Sequence, residues 1–180
     1  MATLIKEKIG VQVNILERSV TFTVNIVFQT VFKIIGGRGL QADYLIDSRK
    51  VIEDGLFAWL SEQTLISLHV EIFRPGQDSC IERWDFDFEY RAEMDENITP
   101  PPLQELEEIF GKLDALPAGS DYQFAVRLKS PHVRVRGWSP APMKALGAPD
   151  EHRFSGWGYG AIGTSLTYRG RMKPDIERKD

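Results

Sequence analysis

Residues 81–90, Ile-Glu-Arg-Trp-Asp-Phe-Asp-Phe-Glu-Tyr, decide the fold, because from Arg83 onward charged and aromatic side chains alternate strictly. The side chains of a β-strand point alternately to its two faces. The pattern therefore predicts a strand with one face on a hydrophobic core and the other in water. The core face would carry Trp84, Phe86, Phe88 and Tyr90, and the water face Arg83, Asp85, Asp87 and Glu89.

A second apolar stretch, residues 66–74, precedes this strand. The connection between the two is Arg74-Pro75-Gly76-Gln77-Asp78-Ser79, which is rich in residues that favour tight turns. We therefore predict an antiparallel hairpin of strands 66–74 and 80–91, and we expect it to form the centre of a sheet.

The size and composition suit one globular domain with a sizeable core: 180 residues, 42% hydrophobic, with a net charge of −4. The acidic balance argues against a general nucleic-acid binder. The single cysteine, Cys80, excludes an internal disulfide and agrees with a cytoplasmic location. The first residues lack the apolar core of a signal peptide, and polar residues interrupt the most apolar stretch, 20–35. We therefore expect no membrane span.

Residues 17–35 are ambiguous between strand and helix. Alternating β-branched and aromatic residues favour a strand, but the stretch is much longer than the roughly five or six residues of a usual strand. Gly36-Gly37 is typical of a helix end. Two further helices are clearer: one capped by Asp47 or Ser48, and an amphipathic one over 103–113 after three prolines.

The remaining segments are mostly short. A third strand is predicted over 121–129, and strands on both sides of a helical middle indicate an α+β fold. The other assignments are a mobile end or short first strand (1–14), a polar connection (93–99), a short fourth strand (133–138), a Pro/Ala/Gly-rich connection (139–150), a weakly alternating segment (152–171) and a disordered tail (172–180).

Two local patterns could indicate a cofactor or a metal. Residues 158–163 match the letters of the dinucleotide-binding fingerprint, but neither a following helix nor an acidic ribose partner is predicted, so a bent glycine-rich strand is the better interpretation. Asp85 and Asp87 could be a metal pair, yet no second acidic cluster is placed to help them. We expect no cofactor and no metal site.

No catalytic arrangement is evident in the sequence. His69, His132 and His152 lack paired ligand spacing, Cys80 lacks a nucleophile pattern, and no Ser/His/Asp or Cys/His set is visible. We therefore expect a protein that is not an enzyme and has no catalytic residues, although a small α+β enzyme or ligand-binding domain remains an alternative.

Basic residues are concentrated in one region. Residues 122–149 contain no acid. A basic strip there could bind RNA, lie on a solvated sheet face, or receive an acidic segment of a partner. The strip consists of Arg127, Lys129, Arg134 and Arg136.

The Glu82-Arg83-Trp84 strand resembles the central strand of HORMA-domain proteins, which are peptide-clamping adaptors. The surrounding order is also similar over residues 15–170: a helix-length segment, Arg38-Gly39-Leu40, a helix ending in Trp59-Leu60, the hairpin, an amphipathic helix and further strands. The resemblance implies a HORMA-like α+β fold, with three helices on one face of a central antiparallel sheet. It makes residues 17–35 a buried helix.

The resemblance also implies a division of the chain. One domain would occupy residues 1–171, with a core of about 1–138 and a mobile C-terminal safety belt of about 150–171. A partner peptide, the closure motif, would add as a strand to an exposed sheet edge. The receiving edge would be strand 121–129. The residues implied are Tyr122, Phe124, Val126 and Leu128 on that edge, Phe154, Trp157, Tyr159 and Leu166 of the safety belt over the peptide, and Glu82, Arg83 and Trp84 as the docking strand of the safety belt.

The short chain resembles most the bacterial members of the family, which act beside cGAS-like nucleotidyltransferases in CBASS anti-phage defence. The implied function is a cytoplasmic signalling adaptor that activates the nucleotidyltransferase when closed on its peptide. An AAA+ ATPase would reopen it by engaging residues 1–13. The expected partners are a closure-motif peptide, which another HORMA protein could carry, the nucleotidyltransferase and the ATPase; no membrane or nucleic-acid partner is expected.

Overall fold

The computed structural model describes the backbone of residues 2–173 and the side chains of residues 15–92 and 97–173. Four helices and six strands follow one another along the chain. In order they are α1 (Ala2–Gly37), α2 (Asp43–Asp47), α3 (Arg49–Ser61), β1 (Leu65–Phe73), β2 (Ser79–Thr99), α4 (Leu103–Phe110), β3 (Asp121–Leu128), β4 (Ala145–Leu146), β5 (Asp150–Arg153) and β6 (Trp157–Gly170).

All strands belong to one sheet in the order β3-β1-β2-β6-β5, with β4 beside the start of β2. Every pair is antiparallel except the short β2–β4 pair. The β1–β2 hairpin lies at the centre, with Val70 opposite Trp84, which confirms the predicted hairpin and the α+β class.

One face of the sheet carries the core, and the helices cover it. Trp84 and Phe86 of β2 are fully buried there, as the alternation predicts. The indole of Trp84 contacts the ring of Phe110 from α4 and the ring of Tyr168 from β6. The central strand thus joins the helix layer to the C-terminal part of the sheet.

The ambiguous segment is a helix, and the expected strand or mobile end over residues 1–14 is wrong, because α1 already begins at Ala2. Burial decides against local propensity: the buried residues of α1 recur at helical spacing. They include Val20, Val24, Val27, Val31 and Ile34. By length and composition residues 15–37 could span a membrane, but half of the most apolar window is buried inside the protein, as in a core helix.

The polar connection predicted over residues 93–99 is wrong, because β2 continues to Thr99. It does so by pairing with β6, with Asp95 opposite Gly160 and Thr99 opposite Gly158, and the register shifts twice along this part. The polar residues of this stretch gave no indication that β6 would pair with it.

The predicted fourth strand over residues 133–138 is also wrong, since this stretch is irregular and lies on α3. The predicted disordered tail begins too early. Met172 donates its N–H to Asp150 Oδ2 (3.0 Å), and Lys173 donates its N–H to the carbonyl oxygen of Lys112 (2.8 Å). Residues 174–180 lie outside the described residues.

Candidate peptide-binding site

One side of the sheet ends in a strand with a free edge. β3 pairs with β1, and within residues 2–173 no strand lies on its outer side. The N–H of Lys129 points inward to the carbonyl oxygen of Thr64 (2.8 Å). Strand alternation then turns the backbone N–H and C=O groups of Phe124 and Val126 outward. Such an edge is a template on which another extended segment can add.

The four side chains predicted to contact a peptide from this edge form one row on its helix-facing side. Tyr122 is buried; its hydroxyl donates to the carbonyl oxygen of Gln41 (2.9 Å) and accepts from the N–H of Leu45 (3.1 Å). Burial raises the pKa of Tyr122, so the phenol keeps the proton that it donates. The other three are half-buried, and their contact with a peptide stays a prediction: Phe124, Val126 and Leu128.

Tyr44 of α2 lies beside this row, and the sequence analysis missed it. It is 53% exposed, and its ring centroid is 5.7 Å from that of Tyr122 and 6.4 Å from that of Phe124. A helix of five residues is too short to show a periodic pattern, so no sequence signal marks it. Tyr44 adds exposed aromatic surface to the free edge.

The chain after β3, residues 129–144, is called here the crossing segment. It is first fixed to the helix layer by two tryptophans. The indole N–H of Trp59 donates to the carbonyl oxygen of Val133 (2.8 Å), and that of Trp138 donates to the carbonyl oxygen of Val51 (3.0 Å). The two rings meet edge to face, with centroids 5.2 Å apart. The segment is therefore firmly attached to α3.

The crossing segment ends on the opposite face of the sheet. There the N–H of Lys144 donates to Glu71 Oε1 (2.9 Å), while Gln123 Nε2 donates to Glu71 Oε2 (2.7 Å). Glu71 is fully buried and alternates with the core residues of β1, so it belongs to the face away from the helices. Between Trp138 and Lys144 the chain thus passes from the helix-covered face of the sheet to the opposite face and has an anchor on each.

The C-terminal strand docks on the other side of the hairpin. β6 pairs with β2 over the strand that contains the predicted docking residues, with Arg169 opposite Arg83 and Tyr168 opposite Trp84. The strand that contains Glu82-Arg83-Trp84 is therefore paired with β6, and the role of this pair in docking a safety belt stays a prediction.

A buried carboxylate fastens the safety belt. Glu82 accepts two hydrogen bonds from Arg38 (2.8 and 2.9 Å), one from the indole of Trp84 (3.2 Å) and one from the hydroxyl of Tyr168 (3.3 Å). Burial and the charge of Glu82 raise the pKa of Tyr168, so its hydroxyl remains a donor. Of these groups only Tyr168 belongs to β6, while Arg38 follows α1 and Trp84 lies on β2.

Asp85 is the second point of attachment. It accepts hydrogen bonds from His69 Nδ1 (2.5 Å), Arg83 Nε (2.8 Å) and, from the safety belt, Arg169 Nε (2.9 Å). Burial alone would raise the pKa of Asp85, but the bonds and charges of His69 and Arg83 outweigh it and lower the pKa to about 2. Arg169 also pairs with Glu151 of β5.

The family model described as Bacterial HORMA domain 2 matches residues 8–168. The chain belongs to this family. No curated protein matches the sequence significantly.

Solved structures share the HORMA fold at low identity. A chain of the mitotic checkpoint complex has a TM-score of 0.71 at 13% identity, covering 85% of this chain and 98% of that one. C. elegans HTP-1 bound to the HIM-3 closure motif has a TM-score of 0.67 at 12% identity, with coverage of 87% and 92%. The E. coli MS115-1 CdnC:HORMA-deltaN complex gives 0.52 at 13%, with coverage of 85% and 89%.

The four safety-belt side chains predicted to cover the peptide lie elsewhere in this HORMA domain. Phe154, Trp157 and Leu166 are buried in the core, and the ring of Tyr159 contacts Phe22 of α1 (5.6 Å). β1 and β2 separate β6 from β3, so in this conformation these side chains do not contact a strand added to β3.

The fold also brings together a Ser-His-Asp set that the sequence analysis did not recognise. Ser67 Oγ is 2.7 Å from His69 Nε2, and His69 Nδ1 is 2.5 Å from Asp85 Oδ1. The order is that of a hydrolase triad. Ser67, however, is fully buried in a central strand, so no substrate carbonyl reaches its oxygen in this conformation. The hairpin register, which places His69 opposite Asp85, could have revealed the set.

The glycine-rich stretch is part of β6, as the bent-strand interpretation predicts, and no helix follows it up to residue 173, where the described part of the chain ends. Gly160 has a φ of +63°, and a Cβ there would overlap Ser19 Oγ, which also accepts the N–H of Ala161 (2.9 Å). The glycine therefore lets β6 lie close against α1. Among the described side chains no group of His, Cys, Asp and Glu could hold a metal ion.

Proposed function

We propose that this HORMA protein is a peptide-clamping signalling adaptor. A closure-motif peptide would add as a strand to the free edge of β3, inside the loop formed by the crossing segment. The observation that supports the proposal is this free edge together with the crossing segment, which leaves β3, is anchored on the helix-covered face at Trp138 and is anchored on the opposite face at Lys144. Main-chain bonds to Phe124 and Val126 would hold the peptide, and alternate side chains would select it.

A peptide bound in this way exchanges slowly, because it cannot leave sideways past a fixed segment. The safety belt makes opening harder. Undocking it exposes at least four large apolar side chains, each of which contributes about 1.5–3 kcal/mol when buried. These side chains are Phe154, Trp157, Leu166 and Tyr168.

The proposal is tested with a library of randomised peptides long enough to span β3, selected on the full chain. We expect strong enrichment by the wild type. Val126→Pro removes an outward N–H at a strand edge, where proline is tolerated, and should abolish the enrichment. Val126→Ala is the matched control, because it shortens the same side chain but keeps the N–H. Equal enrichment by the proline variant, or none by the wild type, would contradict the proposal.

The cellular role that we propose follows the bacterial family. The closed, peptide-bound domain would bind and activate a cGAS-like nucleotidyltransferase in cytoplasmic anti-phage defence, without catalysis of its own. The similarity of the fold to the CdnC:HORMA complex supports the choice of partner. A single domain over residues 1–171 with a mobile safety belt is part of the same proposal.

Reopening would fall to an AAA+ ATPase that pulls on residues 1–13. The large apolar area that must be exposed on opening is what favours an ATP-driven step over spontaneous opening. Affinity purification of the chain from its native host, with mass spectrometry, tests both partners. If neither a nucleotidyltransferase nor an AAA+ ATPase is enriched over an untagged control, the proposed cellular role is wrong. The proposal that the domain clamps a peptide is tested separately by the peptide library.

A further inference from the structure

The candidate peptide-binding site is asymmetric in charge along the direction of β3. Arg127 and Lys129 are exposed at its C-terminal end, and Arg134 and Arg136 are exposed on the adjoining crossing segment. Among the described side chains, none of these four forms an ion pair within 4.0 Å. The N-terminal end instead carries exposed Asp121, with Asp43 and Asp47 exposed on α2.

One acid moderates the basic end without neutralising it. Arg127 lies on the same face as Asp87, with Ser67 of β1 between them in the register. The positive charge of Arg127 favours the ionised form of Asp87, but the two side chains form no ion pair. Lys129 places its ammonium over the ring of Tyr90, 5.4 Å from the centroid. The positive charge at this end therefore remains available to a ligand.

The helix-facing side of the same edge is apolar. The ring of Tyr44 stacks on that of Phe124 at an interplanar angle of 16°, and Ile46 is 55% exposed. A strand added to β3 places every second side chain on this side. Those positions meet aromatic and aliphatic surface, while the end of the strand meets Arg127 and Lys129.

We infer that the peptide taken by this site is an amphipathic strand, with aromatic or aliphatic side chains at the positions that face Tyr44 and Phe124 and with acidic residues at the end next to Arg127 and Lys129. The inference rests on the proposed function and specifies its ligand. Arginine suits carboxylates because its planar guanidinium can donate two parallel hydrogen bonds to one carboxylate. Charge complementarity here would fix the direction in which the peptide enters.

The test uses the randomised peptide library with two double variants of the full chain. Arg127→Glu/Lys129→Glu reverses the charge at the site. Lys112→Glu/Lys173→Glu makes the same change in net charge at two exposed positions on the β6 side of the sheet, outside residues 150–171. We expect wild type and control to enrich peptides that carry acids at one end and apolar residues at alternate positions. The site variant should enrich bases at that end.

The affinity of one selected acidic peptide should fall about tenfold in the site variant, since exposed ion pairs are individually weak but attraction becomes repulsion at two positions. Enrichment without a charge preference, or the same preference in the site variant, would overturn the inference while leaving peptide binding intact. A wild type that enriches no peptide contradicts the proposed function and the inference together. Binding of a single-stranded RNA oligonucleotide that the site variant loses, with no acidic peptide selected, would overturn the inference in favour of RNA.

Discussion

The hydroxyl of Tyr168 donates a hydrogen bond to Glu82 across the β2–β6 pair, with the two oxygen atoms 3.3 Å apart. Glu82 is already neutralised by Arg38, which joins the end of α1 to the same carboxylate. The safety belt thus adds a neutral donor to a prepared ion pair. A docking site of this kind keeps its carboxylate paired with the arginine when β6 undocks, so undocking leaves no unpaired buried charge.

Tyr168→Phe should therefore loosen the safety belt without unfolding the domain. The ring keeps its contact with Trp84, and the hydroxyl hydrogen that is shared between Glu82 (3.3 Å) and the carbonyl oxygen of Arg171 (3.1 Å) is lost, which we expect to reduce the free energy of unfolding by about 1–2 kcal/mol. Hydrogen exchange in β6 should accelerate, and urea denaturation gives the stability. Tyr159→Phe, at a half-buried ring in the same strand, is the control and should change both little. If the two substitutions had equal effects, the hydrogen bond from Tyr168 to Glu82 would not be what holds β6 in place.

The stability of the docked state should fall at acid pH through Asp85. Its pKa is lowered from 3.8 to about 2 in the folded protein, so the ionised form stabilises the fold above the unfolded value, and this contribution is lost as the pH falls from about 4 to about 2. Asp85→Asn should thus be less stable than the wild type at neutral pH, with a difference that shrinks in this window. Thermal unfolding measured against pH gives the difference.

Asp87→Asn is the control for that experiment, because its linkage has the opposite sign. Burial and the charge of Asp85 raise the pKa of Asp87, so its ionised form is disfavoured in the folded state. Removing this charge should not destabilise the protein at neutral pH. If Asp87→Asn lost as much stability as Asp85→Asn, the stabilisation would not depend on the specific hydrogen bonds of Asp85.

Gly55→Ala should release the crossing segment from α3. A Cβ at this position would lie 2.5 Å from the indole Nε1 of Trp138 and 2.9 Å from the ring of Trp59, so the tryptophan anchor must move. A selected peptide should then dissociate faster, about tenfold if most of the anchor is lost, and stopped-flow displacement measures the rate. Gly36→Ala is matched, since nothing lies within 4 Å of its added carbon. It should stabilise α1 by up to about 1 kcal/mol and leave dissociation unchanged.

Cys80 should report on the end of the loop around β3. It is buried, it lies opposite Leu146 of β4, and burial together with the charge of Glu71 raises its pKa to about 11. A thiol reagent should therefore label the native protein slowly at neutral pH. Gly55→Ala should accelerate labelling if release of the tryptophan anchor spreads to β4. Labelling at the wild-type rate would show that the two ends of the segment open independently.

Several elements were predictable because their patterns are local. The strict alternation after Arg83 separates an apolar from a polar face, and the Pro-Gly turn at residues 75–76 fixes the hairpin. The prediction that the polar face lies in water is wrong for Asp85, which is buried because His69, Arg83 and Arg169 surround it. α1 was not predictable from its own residues alone. Its alternating β-branched residues favour a strand, whereas the spacing of its other apolar residues favours a helix. β2 beyond residue 91 is polar, and only β6 makes it a strand.

The candidate site divides in the same way. The row Tyr122, Phe124, Val126 and Leu128 is visible as an alternating pattern in the sequence. Tyr44 is not, because α2 lies beside the row only through tertiary contacts such as the hydrogen bond from the N–H of Leu45 to the Tyr122 hydroxyl. The role of the crossing segment was hidden in a Pro/Ala-rich stretch that has no periodicity of its own and depends on anchors contributed by α3 and β1.

The sequence by itself determined the hairpin, the amphipathic helix and the basic strip, because each follows from the periodicity or charge of neighbouring residues. The tertiary structure alone decided that two strands separate β6 from β3, that Glu82 and Asp85 accept hydrogen bonds from β6, and that the crossing segment has an anchor on each face of the sheet. These features depend on contacts between residues far apart in the chain, and local periodicity carries no information about which of several compatible surfaces a strand will choose.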